Sequence, residues 1–105
     1  MWTIKYHPEA LKELDNLDGS VRNQVLKGII KVSANPVSQS EGGYGKPLGN
    51  KGGTNLTGFY KIKFKRIGIR VVYKLIKDEI TNEMYILVIS ARADEQVYKL
   101  ADTRK

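Results

Sequence analysis

The chain has no cysteine, a single histidine and only three prolines in its 105 residues. Without thiols it can form no disulfide, no thiolate metal site and no cysteine nucleophile. A lone His7 completes neither a histidine-rich metal cluster nor a serine triad by itself. No apolar run approaches the roughly 20 residues that a membrane-spanning helix needs. The opening Met1-Trp2-Thr3-Ile4-Lys5-Tyr6 lacks the basic-then-apolar order of a signal peptide. The expectation is a soluble cytoplasmic protein with no membrane partner and no metal, whose chemistry rests on Lys, Arg, Tyr or carboxylates. The length suits one domain with a modest core, residues 1–105.

The most informative absence is that of one charge sign. From Gly42 to Lys77 there is no Asp or Glu, while Lys46, Lys51, Lys61, Lys63, Lys65, Arg66, Arg70, Lys74 and Lys77 bring +9 against a formal total of +7. The rest of the chain is therefore slightly acidic, and the basic charge is local. A concentrated positive field attracts polyanions, nucleic acid first among them. Lys46, Lys51, Lys65, Arg66 and Lys74 are on this account the expected RNA-contacting residues.

Trp2, Ile4 and Tyr6 alternate with Thr3 and Lys5, the period of a half-buried strand. Pro8 suits a first helical position, and Ala10, Leu11, Leu14 and Leu17 form the stripe of a short helix. Asp18-Gly19-Ser20 breaks it and offers a new N-cap. Val25, Leu26, Ile29, Ile30 and Val32 then recur at helical spacing up to Asn35-Pro36, completing a helical hairpin. Seven glycines and two prolines between Asn35 and Gly58 point to a mobile surface loop. It is not a P-loop, because Ser40 and Pro47 stand where that motif needs Gly and Ser or Thr. Three strands follow, Phe59 to Lys65, Ile69 to Lys77 and Met84 to Ser90, with a short helical turn about Val97, Tyr98 and Leu100. The expected fold is α+β, in the order β-α-α-β-β-β, a mainly antiparallel sheet with the helical hairpin on one face.

Strand alternation sets Tyr60, Ile62 and Phe64 on one face and Lys61, Lys63 and Lys65 on the other. Arg70 comes beside them across the hairpin, giving a positive triangle of Lys61, Lys63 and Arg70. Like charges placed opposite one another destabilise a sheet, so such a trio points to a task. The task it suits is RNA cleavage by internal attack of a 2′-hydroxyl, with one lysine as base and the other cations holding the phosphate charge. A free lysine has a pKa of about 10.4, and neighbouring cations lower it. Arg92 and Tyr98 can close the same face, the tyrosine stacking a base or orienting a hydroxyl; packing beside Val97 is the equal alternative for Tyr98. His7 reads as a helix-entry residue and Trp2 as core; Asp94 and Glu95 near Arg92 are an alternative source of a base, but an exposed acidic pair beside an arginine reads first as an ion pair of little consequence.

Tyr60-Lys61-Ile62-Lys63-Phe64, Gly68-Ile69-Arg70-Val71-Val72-Tyr73, Val88-Ile89-Ser90 and Val97-Tyr98, in this element order, resemble the RelE/ParE superfamily of bacterial toxins, in particular its RelE branch. The resemblance spans nearly the whole chain. It implies a toxin of a type II toxin-antitoxin system that enters the ribosomal A site and cuts mRNA, leaving a 2′,3′-cyclic phosphate and a 5′-hydroxyl, without a cofactor. It implies Lys63 as general base, Lys61 and Arg70 as phosphate-holding residues and Tyr98 as an mRNA-stacking or orienting residue. Arg92 stands in for the arginine of the general acid, on a segment about two residues shorter before Tyr98 than the family pattern. The partners implied are a cognate antitoxin, the ribosome and mRNA. A ParE-like gyrase inhibitor on the same fold, and an RNA- or ribosome-binding module without chemistry, are the alternatives.

Overall fold

The computed structural model describes residues 2–51 and 54–105, with the backbone alone at Asn50 and Lys51. The alternating N-terminal stretch forms strand β1, Thr3–Tyr6. Helix α1, Pro8–Asp15, starts on His7, whose Nδ1 accepts the N–H of Glu9 at 3.1 Å, and Pro8 takes the first helical position, where its missing N–H costs nothing. Helix α2, Gly19–Ser33, follows Asp18 as N-cap residue. Arg22 donates to the carbonyls of Asp15 and Leu17, both at 3.3 Å, and joins the two helices into the expected hairpin. Ala10, Leu14, Val25, Ile29 and Val32 are buried, whereas Leu11 and Ile30, also part of the apolar stripes, face solvent at 45% and 50% exposure.

Strands β2 (Lys46–Lys51), β3 (Thr54–Phe64), β4 (Ile69–Lys77) and β5 (Asn82–Ser90) complete a five-stranded sheet in the order β1-β5-β4-β3-β2. β1 runs parallel to β5 and the other pairs are antiparallel. The apolar run in β5 is central, as expected. Asp78 closes the β4–β5 turn by accepting the N–H groups of Ile80 and Thr81 at 2.8 and 2.7 Å, which holds its carboxyl below the usual range. Among the described residues no helix is long and apolar enough to cross a membrane.

The glycine-rich stretch differs from the mobile loop expected of it. It holds a short 3-10 turn (Gln39–Glu41), all of β2 and the first residues of β3, which begins five residues earlier than Phe59. The fastening is buried: the Tyr73 hydroxyl donates to the Pro36 carbonyl at 2.8 Å, and Tyr60 stacks on Tyr73 with ring centroids 5.3 Å apart. Gly45 lies against this knot, where a Cβ would come within 2.8 Å of the Tyr73 hydroxyl and 2.6 Å of the Pro36 carbonyl. Glycine is thus needed here for close packing rather than for mobility.

The second difference is at the C-terminus, where a full helix, α3 (Asp94–Arg104), replaces the expected short turn. Its stripe is narrow, Val97, Tyr98 and Ala101, and these bury against Leu48, Leu56, Val72, Leu87 and Val88 on the sheet face away from the hairpin. Both faces therefore carry helices. The far end of α3 is tied down where β5 has outrun β1, whose last partner is Ile86. Glu13 accepts the Ile89 N–H at 3.1 Å and both Arg104 Nη groups at 2.7 and 3.1 Å, while Arg104 also donates to the Leu87 carbonyl at 2.9 Å. Two side chains do the bonding that a longer β1 would have done.

Removing the Glu13 carboxylate strands a half-buried guanidinium and a backbone N–H, so Glu13→Ala is expected to cost about 2–4 kcal/mol. Denaturant unfolding checks it, and Glu13→Gln should recover part of the loss. Burial, with Tyr60 adding to it, also pushes the Tyr73 hydroxyl well above its ordinary pKa of 10.0. Only the neutral phenol suits the folded state, so its contribution is complete below pH 10 and declines as pH rises beyond it. Tyr73→Phe should lose about 1 kcal/mol at neutral pH and flatten the alkaline fall in stability. An unchanged alkaline limb would point to another group.

Candidate active site

β3 and β4 pair with Lys63 directly opposite Arg70 and Lys61 opposite Val72, and β2 brings Lys46 opposite Lys61. Residues directly across a ladder share a face. Lys46, Lys61, Lys63 and Arg70 thus stand together on the face that carries α3, while Tyr60, Ile62 and Phe64 pack toward the helical hairpin. The triangle expected of Lys61, Lys63 and Arg70 is present, with Lys46 as a fourth cation beside it.

Its freedom from acid is not. The first residue of α3, Asp94, reaches back over the hairpin. Arg70 Nε donates to Asp94 Oδ1, and Lys63 Nζ lies 3.8 Å from Oδ2. The three side chains are 25%, 34% and 39% exposed in the order Arg70, Lys63, Asp94. Arg70 Nη1 also donates to the Arg92 carbonyl at 2.9 Å, and Ser90 Oγ accepts the Arg92 N–H at 3.1 Å, which turns the chain from β5 into α3. An aspartate suits this point because the unpaired N–H groups of a helix start favour an anion. The expected pairing of Asp94 with Arg92 is therefore corrected to a pairing with Arg70 and Lys63. The signal was in the register: Arg70 is opposite Ser90, so whatever follows Ser90 meets the basic cluster.

The remaining expected site residues divide. Arg92 is exposed, and its side chain lies along the outer edge of α3 with Gln96, Lys99, Leu100 and Thr103, outside the cluster. Tyr98 is 9% exposed and packs in the second core, so of its two readings the observed position is core. Lys65 and Arg66 are exposed in the turn after β3, and Lys65 lines a hollow of about 180 Å³ with Lys63, Phe64, Gly68, Ile69 and Arg70. Lys74 shares the open face but stands farther along β4, its Nζ 5.4 Å from the Tyr85 ring centroid. The side chain of Lys51 lies outside the described residues. His7 caps α1, and Trp2 packs against the first core. Among the described residues no group of three or more His, Cys, Asp or Glu is placed to hold a metal ion. The arrangement can hold one phosphate-sized anion between Lys63 and Arg70, the position that Asp94 fills.

No protein-family model matches the chain. A protein of Escherichia coli named as RelE-like toxin is 30% identical over 103 residues, 98% of this chain and 96% of that protein. The chain belongs to the RelE family of toxins. The mRNA interferase toxin RelE of Escherichia coli strain K12 is 27% identical over 101 residues, 96% of this chain and 94% of its own. Among solved structures, a variant of E. coli RelE in the free state superposes with a TM-score of 0.73 at 24% identity, covering 98% of this chain and 96% of that one. The RelE-like fold also matches the intact E. coli RelBE toxin-antitoxin complex, with a TM-score of 0.65 at 24% identity over 89% of this chain and 99% of that one.

Without Asp94, Lys63 and Arg70 face each other with no counter-ion between them. Asp94→Ala is expected to lower stability by about 1 kcal/mol at low salt, with part of the loss regained at high salt, where repulsion across the ladder is screened. Thermal melts of both proteins at two ionic strengths measure it; a loss that ignores salt would mean that Asp94 matters through packing rather than through its charge.

Proposed function

We propose that this RelE-family toxin is a ribosome-dependent mRNA endonuclease that blocks translation. The observation that carries the reading is the set of four cations, Lys46, Lys61, Lys63 and Arg70, gathered on one sheet face, the last two already paired with a carboxylate. A partly exposed ion triad contributes little to stability, so stability alone does not account for setting Lys63 against Arg70. The 27% identity to proteins named as mRNA interferases supports the same reading.

Mechanistically, the scissile phosphate displaces the Asp94 carboxylate and pairs with Arg70, leaving Lys63 outside the ion pair. Lys63, in its neutral form, takes the 2′ proton as the 2′ oxygen bonds to phosphorus. The bond from phosphorus to the 5′ oxygen breaks, and a protonated donor supplies the 5′-hydroxyl, leaving a 2′,3′-cyclic phosphate. Arg70 and Lys61 stabilise the charge that builds on the phosphate oxygens. Arg92, on the exposed connection between β5 and α3, is offered for the donor and reaches the site if the start of α3 shifts with Asp94. The hollow beside Lys63 and Arg70 is shallow, about 180 Å³, well short of an enclosed ligand pocket. A second macromolecule is needed to position the strand, which is the part assigned to the ribosome. The cognate antitoxin, on this reading, presents negative charge to the same cationic face or displaces α3 from it.

Lys63→Ala is expected to remain folded and to lose ribosome-dependent cleavage by about 10² to 10⁴, with Lys61→Ala and Arg70→Ala losing about 10² to 10³. Lys63→Arg should not rescue, because a guanidinium is already protonated at neutral pH and so cannot accept the 2′ proton. Cleavage of a defined message on ribosomes, with melting temperatures for all four variants, decides it. Wild-type cleavage by a folded Lys63→Ala protein would remove Lys63 from the mechanism. Pulse labelling that shows DNA synthesis failing before protein synthesis would favour gyrase inhibition instead.

A further inference from the structure

Farther along the open face, beyond the cationic cluster, the sheet changes character. Phe59 of β3 stands directly opposite Lys74 of β4, Lys74 opposite Tyr85 of β5, and Tyr85 opposite Lys5 of β1. Ring and ammonium thus alternate in a row across four strands. Phe59 and Tyr85 pack against the edge of the second core and are only partly buried, so α3 leaves them accessible. Lys74 Nζ lies 5.4 Å from the Tyr85 centroid, and the His7 ring lies 6.4 Å from it, tilted by 41°. No acid stands in the row; Glu83, opposite Ile76 and Thr3, marks its outer limit on the same face.

A row built for burial would carry aliphatic side chains under a helix, and a row built for solubility would carry no rings. Partly exposed aromatics interleaved with lysines match what an unpaired nucleic acid offers: base faces that stack on rings, and phosphates that pair with ammonium groups. A duplex keeps its base faces to itself. An acidic protein partner would engage the lysines but leave the rings without a function. The row also starts on β3, the strand that carries Lys61 and Lys63. Phe59 and Lys63 are four residues apart in β3, about 14 Å at the extended rise of a strand, with Lys61 midway and Lys46 beside it.

We propose that Phe59, Lys74, Tyr85 and Lys5 form a stacking platform for the single-stranded RNA that flanks the phosphate held at Lys63 and Arg70. The inference rests on the reading of RNA as the substrate and adds a binding surface separate from the chemistry. Bases stack on Phe59 and Tyr85, and the Lys74 ammonium moves off the Tyr85 ring to the backbone.

The test is binding of a labelled single-stranded RNA oligonucleotide in the absence of ribosomes, for wild type, Tyr85→Leu, Tyr85→Trp and Lys74→Gln. Leucine keeps apolar packing but has no π face, so Tyr85→Leu should weaken binding by roughly tenfold while Tyr85→Trp retains it. Lys74→Gln should reduce the salt dependence by about one phosphate contact. Duplex RNA of the same sequence should not respond to Tyr85→Leu. Should Tyr85→Leu fail to fold, Phe59→Leu carries the same comparison. Wild-type affinity in a folded Tyr85→Leu protein, an equal loss for duplex, or a loss confined to antitoxin binding overturns the proposal. Ribosome-dependent cleavage is read separately: stacking through Tyr85 without cleavage would refute the endonuclease reading and keep the platform, and cleavage without it the reverse.

Discussion

Lys63 and Arg70 occupy directly opposed positions in the β3–β4 ladder, and the constraint that this repulsion sets is met at the start of α3. Two cations across a sheet need an anion between them, and the chain supplies Asp94. For Asp94 to arrive there, the chain must turn sharply after β5, which Ser90 secures through the Arg92 N–H, and a helix must start at that point. The helix must then lie across the sheet, which requires an apolar strip of Leu48, Leu56, Val72, Leu87 and Val88 beneath it. The ion pair marks where α3 begins, and the apolar strip with the Arg104–Glu13 pair holds the rest of the helix on the sheet.

The two ends of α3 are held by different kinds of interaction. At its far end, Arg104 is bonded bidentately to Glu13 and to the Leu87 carbonyl, with side-chain exposures of only 12% and 25% for the pair. At its start, Asp94 is held by cations that are partly open to water and would accept any other anion. Charge-assisted bonds shielded from solvent keep their strength, whereas exposed ones exchange readily. The Arg104 end of the helix is therefore the better shielded of the two.

Much of the fold could be read from the sequence because it is written in periodicity. The alternation at Trp2, Ile4 and Tyr6, the helical spacing from Val25 to Val32 and the apolar run of β5 each have a single geometric meaning. The glycine-rich stretch misled because glycine has two: freedom in an open loop and closeness in a packed one. At Gly45 the second applies, and only the Tyr73–Pro36 contact, thirty-seven positions apart, reveals it. Helix α3 reads as a turn because three buried apolar residues on a polar helix give a faint stripe. The cationic cluster was legible, since alternation fixes the face of Lys61 and Lys63 and hairpin pairing adds Arg70. Asp94 was not, because its role depends on where β5 ends relative to Arg70, and pairing register is not written in local sequence.

The same dependence on register separates the two halves of the open face. Alternation alone says that Phe59 shares a face with Lys61 and Lys63; it does not say that Lys74 and Tyr85 continue that row across the sheet. The β-bulge between Val72 and Tyr73 decides this. An uninterrupted ladder from Arg70 and Ser90 would set Tyr73 opposite Leu87 and Lys74 opposite Ile86, and Tyr85 would drop out of the row facing Lys74. With one extra residue taken up in β5, Tyr85 meets Lys74, and Ile86 turns toward the hairpin core with Tyr73. Bulges concentrate where a side chain must be re-aimed. Here the bulge does two things at once: it fills the core under α1 and α2, and it turns an aromatic ring onto the face where the cations stand.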